Sequence, residues 1–128
     1  MELFRRYTTT TSEEYIGVVI NGYKQGIHWD FDQTTSMKTY LNDELNGSTY
    51  YWYKGKILFK HYHINYKING IQYNWCLDGK LDSIRNFLDD EPYGLDYGWL
   101  SNGEIDEINK FSSSNIKGKK YEKIYRRR

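Results

Sequence analysis

The sequence predicts an all-β protein, an elongated antiparallel β-meander built from stacked hairpin repeats. The first observation is a repeated unit: the stretch from Gly70 to Gly94 recurs 24 residues later, so that Trp75 matches Trp99. Self-similarity at such a period indicates a repeat architecture. The second observation is composition, because the chain has no alanine, one proline and 18% aromatic residues, which favours pleated sheets over helices.

The chain divides into a leading arm, a repeat domain and a basic end. Residues 1–14 are predicted to be an N-terminal arm, and residues 15–125 are predicted to be the repeat domain. Within that domain we expect partial units at both ends, which cap the stack. The repeats are predicted at residues 26–46, 47–69, 70–93 and 94–117. Residues 126–128 form the end of a basic tail.

Each repeat begins with a short strand that follows an opening glycine. Because successive strand residues point to opposite faces, positions one, three and five after the glycine share a face. These positions hold Ile27, Trp29, Phe31, Ser48, Tyr50, Trp52, Ile71, Tyr73, Trp75, Leu95, Tyr97 and Trp99. We expect this face to be buried, and the mostly polar residues of the opposite face to meet solvent or a partner.

Dipeptides that end in glycine predict where the hairpins turn, because Asn-Gly and Asp-Gly tolerate the positive φ that tight turns require. The predicted turns are Asn46-Gly47, Lys54-Gly55, Asn69-Gly70, Asp78-Gly79, Asn102-Gly103 and Lys117-Gly118. The acidic run 89–93 is also predicted to turn, since Pro92 lacks a backbone donor for a ladder.

The second strand of each repeat has an unusual spacing. Leu81, Ile84 and Phe87 are three residues apart, and the next repeat shows the same spacing. That interval fits one helical turn, or a strand that contains one extra residue, a β-bulge. We favour the bulge, because both neighbouring segments have the pattern of strands.

The repeated pattern resembles the MORN repeat, and more closely the variant found in proteins described as antitoxin components. The residues that carry the resemblance are Gly47, Trp52, Gly55 and Ile57; Gly70, Trp75, Gly79 and Leu81; and Gly94, Trp99, Gly103 and Ile105. The resemblance covers residues 15–125. It implies an elongated meander of hairpins that serves as an interaction or scaffold module.

Few residues are candidates for a metal site or a binding site. His61 and His63 lie two apart, which places both imidazoles on one face of a strand, but no spacing brings a third ligand to them. Exposed strand histidines are the simpler interpretation, so we expect no metal and no cofactor. Tyr51 and Tyr53, together with His61 and Tyr62, are candidates for an aromatic binding surface, although packing within the sheet is the commoner use of tyrosine.

The charge distribution is asymmetric. Residues 1–116 hold 11 basic and 16 acidic side chains, whereas residues 117–128 hold seven basic and one acidic. The tail, including Arg126, Arg127 and Arg128, therefore predicts weak and nonspecific contact with nucleic acid or another anion, or docking on a second copy. The commoner use of such a segment is a terminal strand, here residues 120–125, with a solvated basic end.

No catalytic motif is present, so the sequence predicts a non-enzymatic protein-binding or scaffold module whose partner is another protein or a second copy. The alternatives are an antitoxin or immunity protein that binds a toxin, and a structural component of a large DNA virus, the latter suggested by the abundance of Asn, Ile, Lys and Tyr, whose codons are AT-rich, and by the lack of Ala. With one cysteine, no signal peptide and no transmembrane segment, we expect a cytoplasmic protein, in the host cytoplasm or the virion if viral.

Overall fold

The protein is one antiparallel β-sheet. The structure, a computed structural model, describes the backbone of residues 2–7, 14–31, 34–115 and 118–127, and the side chains of 15–31, 34–112 and 123–127. Thirteen strands and no helix occur in these residues. The all-β prediction is therefore confirmed, as is the choice of a strand over a helical turn for the segment that contains Leu81, Ile84 and Phe87.

The strands follow one another with short connections. They are β1 Glu2–Tyr7, β2 Glu14–Ile20, β3 Tyr23–Phe31, β4 Thr35–Leu41, β5 Glu44–Tyr53, β6 Lys56–Ile64, β7 Lys67–Ile68, β8 Gly70–Trp75, β9 Leu81–Leu88, β10 Glu91–Pro92, β11 Gly94–Trp99, β12 Ile105–Asn115 and β13 Gly118–Arg126.

The order of the strands across the sheet is their order along the chain. β1 to β6, β8, β9, β11, β12 and β13 are hydrogen-bonded in turn, and the two-residue strands β7 and β10 pair with β6 and β9 beside this path. All the pairings are antiparallel. This is the predicted meander. Within the described residues, no helix is long and apolar enough to cross a membrane.

Several turns lie elsewhere than the sequence predicts. Gly47, Gly70 and Gly94 do not form the hairpin turns: Gly47 lies inside β5, and the other two begin β8 and β11. Two turns come earlier, at residues 42–43 and 65–66. The run 89–93 turns as predicted only at 89–90, because Glu91 and Pro92 form β10 and pair with β9. Both residues of each of these three pairs have positive φ, and five of the six are Asn or Asp, which tolerate this region better than most residues; Tyr66, with φ of 75°, is the exception.

Lys54 and Gly55 form a turn as predicted, with φ of 48° and 78°. Asp78-Gly79 and Asn102-Gly103 also lie in turns. Lys117 lies outside the described residues, so the turn predicted at Lys117-Gly118 is not described.

The bulge has a definite position. Trp75 is paired with Leu81 and Asn74 with Ser83, so Asp82 is the additional residue in β9. Equivalent shifts follow Trp52 and Trp99 in the neighbouring repeats. A bulge keeps Leu81 and Ile84 on one face although they are three residues apart, because the extra residue resets the alternation.

The paired register defines two faces. The aromatic face consists of the twelve residues at positions one, three and five of the repeats together with their cross-strand partners on β4, β6, β9 and β12. The polar face holds positions two and four and their partners. Phe87 lies opposite Gly70 and therefore on the polar face, unlike Leu81 and Ile84.

The prediction that the aromatic face is buried and the polar face exposed is wrong. No hydrophobic side chain among the described residues is buried, and Trp29, Trp52, Trp75 and Trp99 are only half-buried. The most buried side chains are polar: His28, Ser36, Thr49, His63, Asn69 and Asn109. A single-layer sheet has no second layer to cover its apolar side, whereas short side chains on the other side are covered by longer neighbours.

Candidate functional site

Stacked ring pairs cover the aromatic face. Tyr50 and Trp52 stack with ring centroids 5.5 Å apart and planes 15° from parallel, because two residues of one strand separated by a single position stand side by side. Equivalent pairs are Tyr73–Trp75 at 5.6 Å and Tyr97–Trp99 at 6.0 Å. The repeat therefore places one stacked pair on every second long strand.

In the first repeat, the stacked pair occupies the same two positions but consists of a tryptophan followed by a phenylalanine. Trp29 stacks on Phe31 at 5.8 Å and on Trp52 of the next repeat at 5.9 Å. Trp29 thus occupies the tyrosine position, as the register from Gly26 predicts, and joins two repeats through ring contact. Such offset stacks each add about 0.5–1.5 kcal/mol beyond the burial of area.

A row of exposed apolar side chains borders the stacked rings. Ile27 is 49% exposed, Tyr62 45%, Ile71 44% and Leu95 36%. They belong to the aromatic face, at the end of each strand nearest its opening glycine. Thr39, Ser48 and Asn86 lie between them in the same row, so these side chains extend the apolar surface of the adjoining rings rather than form a separate patch.

The polar face is organised differently, as a row of side chains that runs across the strands. Lys38, Thr49 and His61 are cross-strand neighbours on β4, β5 and β6. The row continues to Gln72 on β8, whose side-chain amide donates a hydrogen bond of 2.8 Å to His61 Nε2. Because an amide nitrogen can only donate, His61 carries its proton on Nδ1 when neutral.

A ladder of rings crosses that row in the second repeat. Tyr51 and Phe59 have centroids 4.2 Å apart, Phe59 and His61 4.5 Å, and His61 and His63 6.2 Å. Burial, followed by the charge of His63, lowers the pKa of His61 to about 4. Burial also lowers the pKa of His63, so the ladder holds two neutral imidazoles at neutral pH.

His28 is the most buried described side chain, 2% exposed. Its Nδ1 lies 2.6 Å from the hydroxyl of Tyr15, and its Nε2 donates to the Val18 carbonyl over 2.9 Å. The ring lies over Gly17, where a Cβ would be 2.0 Å from Nδ1. Burial lowers the pKa of His28, and both ring nitrogens have partners, so this histidine has a structural role.

Among the described side chains, three buried atoms on the polar face lack a hydrogen-bond partner: Asp30 Oδ1, Thr49 Oγ1 and His63 Nδ1. Lys38 lies near two of these residues, next to Thr49 across the ladder and attracted by Asp30. Its Nζ lies 5.6 Å from the centroid of the Tyr51 ring. The described residues hold no group of three His, Cys, Asp or Glu side chains that could bind a metal ion.

The structure brings together most of the candidate binding residues. Tyr51, Tyr53, His61 and His63 share the polar face, whereas Tyr62 lies on the aromatic face opposite Ser48. Sequence reasoning missed Phe59, which joins Tyr51 to His61. The signal was available, because Phe59 is two residues from His61, but the extra residue in β6 obscured the alternation.

The basic tail is partly incorporated in the sheet. Arg126 ends β13 opposite Glu107, and the backbone nitrogen of Arg127 donates to Asp106 over 2.6 Å. The Arg127 guanidinium forms an ion pair with Glu104. Arg128 lies outside the described residues.

Comparison with known proteins gives no family. No family model matches the chain, and no curated protein matches it. Among solved structures, the chain is similar to a mutant of TarM from S. aureus in complex with fondaparinux, alpha-GlcNAc-glycerol and UDP, at 10% identity and a TM-score of 0.47, over 81% of this chain and 21% of that one.

A second TarM structure matches at 8% identity and a TM-score of 0.32, over 83% of this chain and 19% of that chain. The chain thus spans about a fifth of the length of the solved structures it matches. At these TM-scores the similarity supports no conclusion about function.

Proposed function

We propose that the chain is a non-enzymatic protein-binding module of MORN-repeat type, and that the aromatic face is its binding surface. The observation that carries the proposal is the half-buried Trp and Tyr ladder, which continues through all four repeats without a covering layer. Aromatic residues are enriched where proteins bind one another, because they bury a large area at a low cost in side-chain entropy.

The polar face supports the non-enzymatic part of the proposal. His61 and Gln72 form a hydrogen-bonded pair, and the hydroxyl of Thr49, the cross-strand neighbour of His61, is hydrogen-bonded to neither of them. The imidazoles of His61 and His63 are stacked within a ring ladder, which restricts their movement. A catalytic base acts on a group within hydrogen-bond reach, and the side-chain hydrogen bond described for His61 joins it to the amide of Gln72 rather than to a hydroxyl or a thiol.

An antitoxin role has less support from the distribution of charge. It would require an acidic surface that covers a basic toxin. On the polar face, Lys38 and Arg85 alternate with Asp30 and Asp96, so the charges are mixed. Other acidic side chains lie in turns, among them Asp43, Asp78, Asp89 and Asp90.

The test is affinity capture followed by mass spectrometry, performed with tagged chain in the cells from which it comes. The double substitution I71E and L95E introduces two charges on the aromatic face at exposed positions. The matched control, L77E, makes the same change at a 57% exposed leucine in a turn. We expect bound proteins to be lost from the double variant and kept by the control.

Capture that is equal for all three chains would show that the aromatic face is not the binding surface. Turnover of a substrate by the purified chain, lost when His61 or His63 is replaced, would contradict the non-enzymatic part of the proposal. The two results are independent, because these histidines lie on the opposite face.

A further inference from the structure

We infer that the occupant of the aromatic face is a second copy of this chain, which packs face to face to form a two-layer β-sandwich. This inference rests on the proposed function and names its partner. Three features of the molecule support it: the total accessible surface, the scarcity of charge on the aromatic face, and the equal spacing of its repeats.

The accessible surface is too large for a compact monomer. The chain exposes 8807 Å² at 15.4 kDa. A compact protein of that mass exposes about 7,200 Å², so the excess is about 1,600 Å². A stable interface of standard size covers about 800 Å² on each partner. The excess is sufficient for one such interface, and the absence of a buried hydrophobic side chain in the described residues shows which kind of surface remains uncovered.

The aromatic face carries little charge. Among its twelve repeat residues and their cross-strand partners, the charged side chains are Lys60 and Lys110. Lys60 places its Nζ 5.3 Å from the centroid of the Tyr50 ring, so its charge already has an aromatic partner. Two copies of this face therefore meet with almost no like-charge repulsion, and few charges lose their solvent. A basic protein would find no complementary charge among these residues, and an acidic protein would find Lys60 and Lys110.

The spacing of the face is complementary to itself. One stacked ring pair occurs on every second long strand, which is about 9.6 Å in the hydrogen-bonding direction of a sheet. A second copy related by a two-fold axis presents ridges and grooves with the same period, so the two surfaces can interdigitate along their whole length. Sheets that pack in this way lie about 10 Å apart.

The experiment is sedimentation equilibrium of the full chain over about three decades of concentration, up to about 0.5 mM, which detects dissociation constants in the micromolar range. We expect a monomer–dimer equilibrium for the native chain. The exposed substitution I71E places one extra charge from each copy in the interface. It should weaken dimerisation by at least about 30-fold, as loss of a central contact does.

The control variant L77E should leave the dimerisation constant unchanged. Circular dichroism of I71E should match that of the native chain, since substitutions at exposed positions usually alter stability very little. Acrylamide quenching gives a second readout: Trp29, Trp52, Trp75 and Trp99 share the aromatic face, so quenching of the native chain should decrease as concentration rises.

Two results would overturn the inference. A native chain that remains monomeric at the highest concentration has no second copy on this face. A dimer that is unaffected by I71E, yet dissociates at high salt or on removal of Arg126 to Arg128, associates through its basic tail or its edges. In both cases the proposed function is judged separately, by whether capture of another protein depends on the aromatic face.

Discussion

The two faces of the sheet reverse the usual relation between polarity and burial. The aromatic face carries a tryptophan and a second aromatic ring in every repeat, and these rings are half-buried or, at Phe31, exposed. The polar face contains Thr49 at 3% exposure and His28 at 2%. In a single-layer sheet, burial depends on the size of the neighbours rather than on the polarity of the residue, because no second layer removes the outer ends of side chains from water.

The polar face shows how this happens. Thr49 is short, and its cross-strand neighbours Lys38 and His61 are long enough to cover it. His28 is large, but it lies flat over Gly17, which has no side chain to hold it away from the sheet. On the aromatic face, adjacent large rings keep each other upright, so their outer edges remain exposed.

The largest effect is expected where the polar face is most tightly packed. G17A places a Cβ 2.0 Å from Nδ1 of His28, so the ring must move and lose its contacts with Tyr15 and Val18. We expect a loss of about 3 kcal/mol in the free energy of unfolding, measured by urea denaturation. The control is G98A, whose Cβ would lie 3.8 Å from Glu107 and which should change stability little. Equal losses in both would show that His28 is not held in this way.

The aromatic face should tolerate truncation better than a true core. W75A removes a half-buried ring that stacks on Tyr73 at 5.6 Å. Replacing a fully buried tryptophan costs about 3–5 kcal/mol, and we expect about 2 kcal/mol here in monomeric chain. W75F retains part of the stack and should cost less. A loss above 4 kcal/mol at concentrations where the chain is monomeric would mean that the ring is covered in solution.

Substituting valine at two threonines compares a hydroxyl that lacks a hydrogen-bond partner with one that has a partner. Thr49 Oγ1 is buried without a hydrogen-bond partner, whereas Thr39 Oγ1 donates to the Ser48 carbonyl over 3.0 Å. T49V should therefore raise the free energy of unfolding by about 1 kcal/mol, and T39V should lower it by about 1 kcal/mol. Thermal denaturation of both variants is sufficient. The same sign for both would indicate that Thr49 has a partner, such as an ordered water molecule.

The smallest effect concerns acid. Burial lowers the pKa of His61 from 6.5 to about 4, so between these values the unfolded chain binds more protons at this position than the folded chain does. Stability should decrease as the pH falls through that window, and this contribution should be constant above it. H61Q should reduce the loss of stability between about pH 7 and pH 5. From about pH 7 to pH 8, the free energies of unfolding of H61Q and the native chain should change with pH in the same way. Parallel curves throughout would show that His61 does not titrate in this window.

Much of the fold follows from local patterns. The 24-residue period and the strand alternation place Trp75 and Trp99 on one face, and the spacing of Leu81 and Ile84 predicts a bulge. These features depend on backbone geometry within one hairpin, which neighbouring residues determine. The same information predicts that His61 and His63 share a face, which the register confirms.

The turn positions show where local patterns were insufficient. Turns are predicted at Asn-Gly and Asp-Gly pairs. Asn42 and Asp43, however, adopt positive φ and form a turn without glycine. Gly47 also has positive φ, but it lies within β5. Both sites satisfy the conformational requirement, so the choice depends on which arrangement lets both strands pair fully across the ladder.

By itself, the sequence determined the fold class, the repeat and the side of the sheet on which the residues after each opening glycine lie. Only the tertiary structure decided which side chains are buried and which candidate residues meet. Thr49 is covered, Phe59 joins Tyr51 to His61, and Trp75 remains half-exposed. Alternation specifies a direction for each side chain, but burial depends on the neighbours from other strands and on whether a second layer is present, and both are properties of the assembled sheet.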